Sequence, residues 1–444
     1  MPIPFREVIA APDLPTGFTD VAMMHRYLDA GSPAGDIIYL GFGETWTNVA
    51  PGLAAALATP LPSHSHGYVI SQYGLPRLQR ILRSYISATH RLPSGIEAGR
   101  DYEVAATSGG TRNTMFDFLR MLRNDPTVGA VDRPDQTPVL VAPLPGWGYA
   151  GIADSLGYRT RFLPLRDDEG CQPSLEAFDE LLDSVMADPR HKLAVVVINA
   201  QHSPTAINWP ADTVRHLIRR TLHAGAAVLI DDAYYAVHDP GLTPTSALRL
   251  LLEELEHAPP AARRRWLAVR SLGKQFHCNG WGLGAATADP ATLDTLLNTI
   301  QLHRGFAAAV PLQEAMGTWL ENPEAQHYLD HMNQQYAAKR AAIGEFIRRN
   351  LAYPPDACQL GECTAFLRMK IPFPGPRDGE SLEAFREECL NRTGVLLGID
   401  RWATDPSGAA AQEPANFRVF LGPPQEVLIE ALARLAAAGY SYQP

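Results

Sequence analysis

One lysine of this sequence stands where a side-chain amine is well placed for covalent chemistry. Lys274 lies in the segment SLGKQFHCNGWGLG (residues 271–284), where a predicted strand ends at Ser271 and glycine-bearing turns follow. Desolvation or a nearby cation lowers the pKa of a lysine amine and lets it form a Schiff base near neutral pH. The position suits a Schiff-base lysine, although a single loop lysine is more often merely solvated.

A carboxylate follows another apolar run. The segment VLIDDAYY (residues 228–235) places Asp231 at the carboxyl end of a predicted strand, where open α/β sheets bind ligands. A buried carboxylate there needs a cation, and a pyridinium nitrogen is one. Tyr234 is placed to direct its hydroxyl to the same ring. The alternative interpretation is that Asp231 caps the next turn.

Two further segments also follow predicted strands. In ATSGGTR (residues 106–112), Gly109 and Gly110 lead from a strand into a helix, and the free N–H groups there form a cradle for phosphate. In PLPGWGY (residues 143–149), small residues around Trp147 allow its face to lie against a flat ring. Alone, each signal is weak, because tight strand–helix turns favour glycine and most tryptophans belong to a core.

The elements that position these segments alternate between strands and helices from about residue 70 to residue 290. Amphipathic helical stretches separate the apolar runs, as in the residues after Leu75 and after Gly110. This alternation predicts one large α/β domain with a mostly parallel sheet. The predicted strands are Tyr102–Thr107, Val139–Pro143, Leu193–Ile198, Ala226–Asp231, Trp266–Ser271 and Leu283–Thr287.

The pattern changes after residue 310. A long predicted helix, Pro323–Asn350, is followed by a shorter α+β region, and the N-terminal residues hold only one predicted strand, Ile37–Leu40. We therefore expect an N-terminal segment (1–60) that packs with a small C-terminal domain (316–444), and a large domain (61–315) between them. The predicted elements of the small domain are strands near Ala365–Ile371 and Asn416–Leu421, and helices near Ser381–Arg392 and Gln425–Ala438.

Composition narrows the class of protein. The 444 residues include 38 basic and 48 acidic side chains, and 46% are hydrophobic, which excludes a disordered chain. The net charge of −10 without basic runs favours neither nucleic acid nor an anionic membrane. Five scattered cysteines without a C-x-x-C pair indicate neither a disulfide scaffold nor a metal site. No apolar run reaches the roughly 18 residues of a membrane span, so we expect a soluble, cytoplasmic protein.

In their order along the chain, the four segments resemble those of the fold type I pyridoxal-phosphate enzymes. Within that group the sequence is most similar to the class I/II aminotransferase family, from LGFGE (residues 40–44) to FRV (residues 417–419). The resemblance implies a mostly parallel seven-stranded sheet flanked by helices, plus a smaller α+β domain. It also implies pyridoxal 5'-phosphate as the cofactor and a homodimer with active sites at the subunit interface.

The resemblance also implies roles around the cofactor ring. Lys274 would hold the cofactor as a Schiff base and then move the proton between the substrate's α-carbon and the cofactor. Asp231 would pair with the pyridinium nitrogen, and Tyr234 would donate to the phenolic oxygen. Trp147 would stack on the ring and border the substrate.

Further roles concern the phosphate and the substrate. By similarity, Arg418 would bind the substrate's α-carboxylate, and the loop that carries Gly43 would close over the substrate. Tyr68 or Tyr73 resembles the tyrosine that reaches the phosphate of the neighbouring subunit. The residues implied to hold the phosphate are Gly109, Gly110, Thr111 and Ser271.

Two positions depart from the family pattern. Ser203, in SPTA (residues 203–206), stands where the family usually has the asparagine of Asn-Pro-Thr-Gly, and either His202 or Gln201 is an alternative donor to the phenolic oxygen. Gly282 stands where the family has a phosphate-binding arginine, whose charge either Arg112 or Arg270 is placed to supply. Both changes also fit a working transaminase. Arg304 matches the family's side-chain-binding arginine poorly and is interpreted as a surface residue.

We therefore expect an aminotransferase that acts on an L-α-amino acid and a 2-oxo acid. The alternative is a lyase, cyclase or oxidase of a natural-product pathway, because these reactions start from the same α-carbanion. A transcription regulator with an aminotransferase-like domain is disfavoured, since the 36 residues before the first predicted strand are too few for a helix-turn-helix domain. The sequence does not indicate which amino acid is the substrate.

Overall fold

The computed structural model describes residues 3–41, 49–124, 131–306, 309–375, 382–399 and 416–443. Its contacts divide the chain into two compact units. The larger unit comprises residues 48–203 and 207–333, and the smaller unit comprises residues 1–47, 204–206 and 334–444. The domain boundaries expected at residues 60 and 315 stay a prediction.

The strands and helices of the described residues follow in chain order. The strands are β1 (Ile38–Tyr39), β2 (Glu103–Ala106), β3 (Thr137–Leu144), β4 (Arg159–Pro164), β5 (His191–Ile198), β6 (Ala227–Asp231), β7 (Trp266–Ser271), β8 (Gly284–Ala288), β9 (Cys358–Gln359), β10 (Phe366–Lys370), β11 (Val395–Leu396), β12 (Gly398–Ile399) and β13 (Asn416–Phe420). The α-helices are α1 (Phe5–Val8), α2 (Thr19–Asp29), α3 (Pro51–Ala58), α4 (Pro76–His90), α5 (Gly110–Asn124), α6 (Tyr149–Ser155), α7 (Leu175–Ala187), α8 (Ala211–His223), α9 (Ala247–Leu255), α10 (Leu272–Phe276), α11 (Pro290–Thr295), α12 (Val310–Leu320), α13 (Glu324–Asn350), α14 (Leu382–Thr393) and α15 (Gln425–Ala437).

The larger unit is built on a seven-stranded sheet with the order β2-β8-β7-β6-β5-β3-β4. The neighbours from β7 to β4 pair in parallel, whereas β8 is antiparallel to both β7 and β2. The central strands are apolar on both faces and buried along their length, as expected for a sheet covered on both sides by helices. The predicted fold class, a mostly parallel seven-stranded sheet flanked by helices, is confirmed.

Helix α5 is an example of how the helices that cover the sheet pack against it. Its apolar stripe of Met115, Phe118, Leu119 and Leu122 is buried in the main core cluster, as the 3.6-residue period predicts. The helix starts immediately after β2 and Gly109, so packing of this stripe also fixes the position of the β2–α5 turn. That turn is the predicted phosphate cradle.

The smaller unit contains two sheets. A four-stranded sheet has the order β12-β13-β10-β9, and all of its pairs are antiparallel. The N-terminal strand β1 pairs in parallel with β11, with Ile38 opposite Val395 and Tyr39 opposite Leu396. The N-terminal strand and the C-terminal region therefore share one core. Within the described residues, every helix is too short or too polar to serve as a transmembrane span.

Candidate active site

The four predicted segments follow strand ends of the larger sheet. Strands β3, β6 and β7 run in the same direction, and β2 does too because β8 is antiparallel to both β2 and β7. Their carboxyl ends therefore lie along one edge of the sheet, the edge at which open α/β sheets bind ligands. The structure brings the predicted residues of the larger unit to this edge.

Lys274 lies in the short helix α10, one turn after the end of β7. The Ser271 hydroxyl oxygen caps this helix by accepting from the backbone N–H of Lys274 at 3.3 Å. The Lys274 ammonium nitrogen lies 4.9 Å from the centroid of the Tyr234 ring. Since Lys274 and Tyr234 come from adjacent strand ends, this contact brings two of the predicted catalytic side chains together.

Asp231 is the last residue of β6, and only 6% of its surface is exposed. Its Oδ2 accepts a hydrogen bond from the Tyr149 hydroxyl at 2.6 Å, and its Oδ1 accepts from the Ala233 N–H at 3.1 Å. Burial raises the pKa of Asp231, whereas the Tyr149 hydroxyl, the Ala233 N–H and the charge of Lys274 act in the opposite direction. The carboxylate is thus buried, fixed in orientation and close to a cation.

Tyr149 and Asn199 belong to this site but do not appear among the residues predicted from sequence. Tyr149 is buried at the start of α6, and its ring lies 5.3 Å from the Trp147 ring in an edge-on arrangement. The Asn199 Nδ2 donates to the Asp231 carbonyl at 2.6 Å, and its Oδ1 accepts from the Ser203 N–H at 2.9 Å. A tyrosine two residues after the predicted stacking residue was the available signal for Tyr149.

The phosphate cradle is a close approach of two backbone segments. Gly109 and Gly110 have φ values of +80° and +83°, which favour glycine. A Cβ on Gly109 would lie 2.2 Å from Asn113 Nδ2. On the other side, the Thr107 hydroxyl donates to the Gly282 carbonyl at 3.3 Å. The geometry leaves the cradle without side chains at Gly109 and Gly110, and Thr111 follows in the first turn of α5.

Half of the sequence matches the model of a known protein family. The family model described as aminotransferase class I and II matches residues 134–356. The chain belongs to this family. Its members use pyridoxal 5'-phosphate, so the predicted family and cofactor are confirmed.

Individual relatives are distant. The chain is 27% identical to the methionine aminotransferase of Escherichia coli over 135 residues, which are 30% of this chain and 32% of that enzyme. It is 24% identical over 230 residues to a probable kynurenine–oxoglutarate transaminase of Saccharomyces cerevisiae, covering 51% of this chain and 48% of the yeast protein. The chain thus matches at most about half the length of these two relatives.

A solved structure shows the shared fold over a longer stretch. A double mutant of Thermus thermophilus aspartate aminotransferase superposes with a TM-score of 0.73 at 18% identity. The superposition covers 96% of this chain and 97% of that chain.

The residues at the edge of the sheet fit the cofactor of this aminotransferase family. Asp231 is a buried carboxylate suited to a pyridinium nitrogen, and Lys274 is an amine near it. The bare backbone at Gly109 and Gly110 fits a phosphate group, which a side chain there would obstruct. The buried carboxylate, the lysine amine and the glycine turn therefore fit the ring nitrogen, the aldehyde and the phosphate of pyridoxal 5'-phosphate, respectively.

The first departure from the family pattern lies near Asp231. Ser203 is buried and donates its backbone N–H to Asn199, which itself donates to the Asp231 carbonyl. His202 is buried with its ring stacked on Trp209 at 5.2 Å. The side-chain nitrogen of Gln201 donates to Asn208 at 2.8 Å and to the Thr245 carbonyl at 3.0 Å. The amide nitrogen of Gln201 therefore already has two hydrogen-bond acceptors within the protein.

Arg418, the predicted ligand of the substrate carboxylate, is a buried residue of β13 in the smaller unit. Its Nη2 donates to the Gly41 carbonyl at 2.7 Å, and its guanidinium carbon lies 4.5 Å from the centroid of the Phe366 ring. These contacts fix the orientation of the guanidinium group. Gly43, the predicted loop residue, lies outside the described residues.

The two candidate tyrosines differ in exposure. Tyr68 is 81% exposed, and its ring lies 5.0 Å from that of Phe306. Tyr73 packs against the core, its carbonyl accepts from the Ala106 N–H, and burial together with Asp294 raises its pKa to about 12. Tyr68 is therefore more accessible to another subunit than Tyr73, which is partly buried.

Proposed function

We propose that the protein is a pyridoxal-phosphate-dependent aminotransferase that acts on an L-α-amino acid and a 2-oxo acid. The observation that carries the proposal is that Lys274 lies close enough to the buried Asp231, at adjacent strand ends, for its charge to lower the pKa of that carboxyl. Burial of a carboxylate with one nearby amine is unfavourable in a purely structural role. It is the arrangement that a cationic ring with a reactive aldehyde requires.

Different residues of the chain have different roles in the proposed reaction. When bound, pyridoxal phosphate withdraws electrons from the substrate's α-carbon. Asp231 would hold a proton on the ring nitrogen, while Tyr149 and the Ala233 N–H orient that carboxylate and favour its ionised form against the effect of burial. Lys274 would hold the cofactor covalently, and its free amine would take the proton from the substrate's α-carbon. Tyr234 confines the Lys274 amine and donates to the phenolic oxygen.

Other residues position the ligands. Trp147 stacks on the ring, and Ser203 stands beside the phenolic oxygen. Arg418 binds the substrate's α-carboxylate through its planar, bidentate guanidinium. We assign closure over the substrate to the loop of Gly43. The residues assigned to the phosphate are Gly109, Gly110, Thr111 and Ser271.

We also propose a homodimer. Among the exposed apolar side chains of the larger unit are four that a second copy of the chain would cover. They are Tyr68, Ile70, Leu302 and Phe306. In the dimer, Tyr68 reaches the phosphate of the partner subunit.

The cellular location and the domain boundaries belong to the same proposal. The five cysteines all lie in the described residues, are buried and form no disulfide bond with one another, which supports a reducing compartment and hence the cytoplasm. We propose a large domain over residues 61–315, which binds the cofactor, and a small domain over residues 316–444, with which residues 1–60 pack.

A panel of amino acids offered to the purified holoenzyme under nitrogen tests the activity. We expect loss of the absorbance of the lysine-linked cofactor and stoichiometric release of a 2-oxo acid. A second 2-oxo acid should then restore the absorbance and be converted to its amino acid. Release of ammonia, a cyclised product or a requirement for oxygen would instead identify a lyase, cyclase or oxidase. The Lys274→Ala variant is the control, since it should show neither the absorbance nor the product.

A further inference from the structure

The backbone disfavours the family's phosphate-binding arginine at position 282. Gly282 has a φ of +63°, a conformation that L side chains adopt with strain. A Cβ on Gly282 would lie 3.1 Å from Gly109 Cα and 3.4 Å from Gly110 N. The backbone at Gly282 lies close to the cradle, so a side chain at this position would force Gly109 or Gly110 to shift by a few tenths of an ångström. Another residue must supply the positive charge.

Arg270 is unsuited to this role because it belongs to the other face of the sheet. Successive residues of a strand point to opposite faces, so Arg270 and Ser271 diverge. The Arg270 guanidinium donates from Nη2 to His90 Nε2 at 2.6 Å and stacks over the Tyr235 ring at 4.2 Å. With 2% of its surface exposed, Arg270 is fixed in that position.

Arg304 approaches the cradle but already has an anionic partner. Its Nη2 lies 2.7 Å from Oδ2 of the buried Asp117 and 3.3 Å from the Ser108 carbonyl. The sequence-based interpretation of Arg304 as a surface residue therefore misses this ion pair. Moving Arg304 to a phosphate would leave the Asp117 carboxylate buried without a counter-charge, which is strongly unfavourable.

Arg112 differs from both. It lies in the first turn of α5, two residues after Gly110, and its guanidinium carbon is 4.2 Å from the centroid of the Trp147 ring. Among the described side chains, no carboxylate forms an ion pair with Arg112. Partial desolvation lowers its pKa. A cation in the first turn of a helix is also disfavoured by the helix dipole, and an anion bound at the same place removes that penalty.

We propose that Arg112 binds the phosphate group of the cofactor in place of the arginine that the family carries at position 282. This inference rests on the proposed function, because it assigns a residue to the same site. Arg112 lies in the first turn after the cradle, its guanidinium stacks on Trp147, and its fork of donors matches phosphate oxygens. Arg112 on α5 thereby supplies the positive charge that other family members carry on the arginine before β8.

The test compares pyridoxal 5'-phosphate with pyridoxal, which has the same ring and aldehyde but no phosphate. Dissociation constants of both compounds are measured by absorbance on apoprotein of the wild type, Arg112→Gln and Arg112→Lys. We expect Arg112→Gln to weaken binding of pyridoxal 5'-phosphate by roughly ten- to hundredfold and binding of pyridoxal by less than about twofold. Arg112→Lys should fall between, because a lysine keeps the charge without the fork.

Arg120→Gln is the matched control. Arg120 is an exposed arginine of the same helix and lies farther along it from the cradle. Its substitution removes the same charge but should leave the dissociation constants of pyridoxal 5'-phosphate and pyridoxal unchanged. Circular dichroism checks that each variant is folded. Equal loss of affinity for both compounds, or no loss in Arg112→Gln, overturns the assignment. Should Arg304→Gln alone weaken the phosphate form selectively, Arg304 is the phosphate ligand.

These outcomes separate this inference from the proposed function. A wild type that takes up no pyridoxal 5'-phosphate refutes both. A wild type that binds the cofactor at Lys274, together with an unaffected Arg112→Gln variant, refutes only the role of Arg112.

Discussion

Removal of the Tyr149 hydroxyl tests the environment of Asp231 without any cofactor. The Tyr149→Phe substitution deletes the 2.6 Å hydrogen bond to Asp231 Oδ2 and leaves the ring in place. A hydrogen bond to a charged group contributes about 1.5–3 kcal/mol, and one pKa unit corresponds to about 1.4 kcal/mol. Loss of the bond should therefore raise the pKa of Asp231 in the folded apoprotein by about 1–2 units.

The sign of the pH dependence follows from the direction of the shift. Burial already raises the folded-state pKa of Asp231 above its unfolded value, so stability falls as pH rises from the unfolded-state pKa to the folded-state pKa and is constant above it. In Tyr149→Phe this fall starts at the same pH but continues to a higher pH, so the penalty at neutral pH is larger. We expect a loss of about 1.5–3 kcal/mol near neutral pH, and only about 0.5–1.5 kcal/mol at acidic pH, where the carboxyl is neutral.

Denaturant titration of the apoprotein between acidic and neutral pH measures this difference. Tyr158→Phe is the matched control, because the Tyr158 hydroxyl is also buried but donates to a neutral acceptor, the Leu119 carbonyl, at 2.8 Å. Its loss should lower the free energy of unfolding by the same amount at every pH. If Tyr149→Phe shows no more pH dependence than Tyr158→Phe, the Tyr149 hydroxyl does not stabilise an ionised Asp231.

Two further predictions concern the backbone at the cradle and the second buried carboxylate. Gly282→Arg should lower the free energy of unfolding by about 1–3 kcal/mol and should not tighten cofactor binding, because the new side chain strains φ and presses on Gly109; tighter binding would show that the backbone accommodates an arginine. Asp232 is 1% exposed, and burial raises its pKa to about 7, although the charge of Arg270 acts in the opposite direction. Since ionisation of the buried carboxyl is unfavourable, the free energy of unfolding should fall by about 1–2 kcal/mol between pH 6 and pH 8. The Asp232→Asn variant should lack this decline, and an unchanged pH profile would assign it to another group.

The central part of the fold is predictable because its signal is local and strong. Apolar β-branched runs such as 193–198 and 266–271 specify buried strands, and the structure places strands at His191–Ile198 and Trp266–Ser271. Strand β4 (Arg159–Pro164) was missed, since it pairs only with β3 at the edge of the sheet and carries polar residues that face outward. An edge strand needs no continuous apolar run, so its sequence resembles a loop.

The site is predictable where chemistry restricts the residue type, and not where it depends on packing. Lys274 and Asp231 stand out because an amine and a carboxylate at strand ends are unusual and unfavourable without a function. Tyr149 looks like an ordinary core aromatic, and only the fold brings its hydroxyl to Asp231. The reason for Gly282 is likewise invisible in sequence, because a Cβ there would lie 3.1 Å from the Cα of Gly109, which is 173 positions away along the chain.

The most direct test of the account is the chemical identity of the bond to the cofactor. Apoprotein is incubated with pyridoxal 5'-phosphate, reduced with borohydride and digested, and the modified peptide is identified by mass spectrometry. The account predicts one phosphopyridoxyl group, on Lys274, and none in Lys274→Ala, which should keep the circular dichroism spectrum of the wild type. Modification of a different lysine, or a protein that takes up no cofactor, would contradict it.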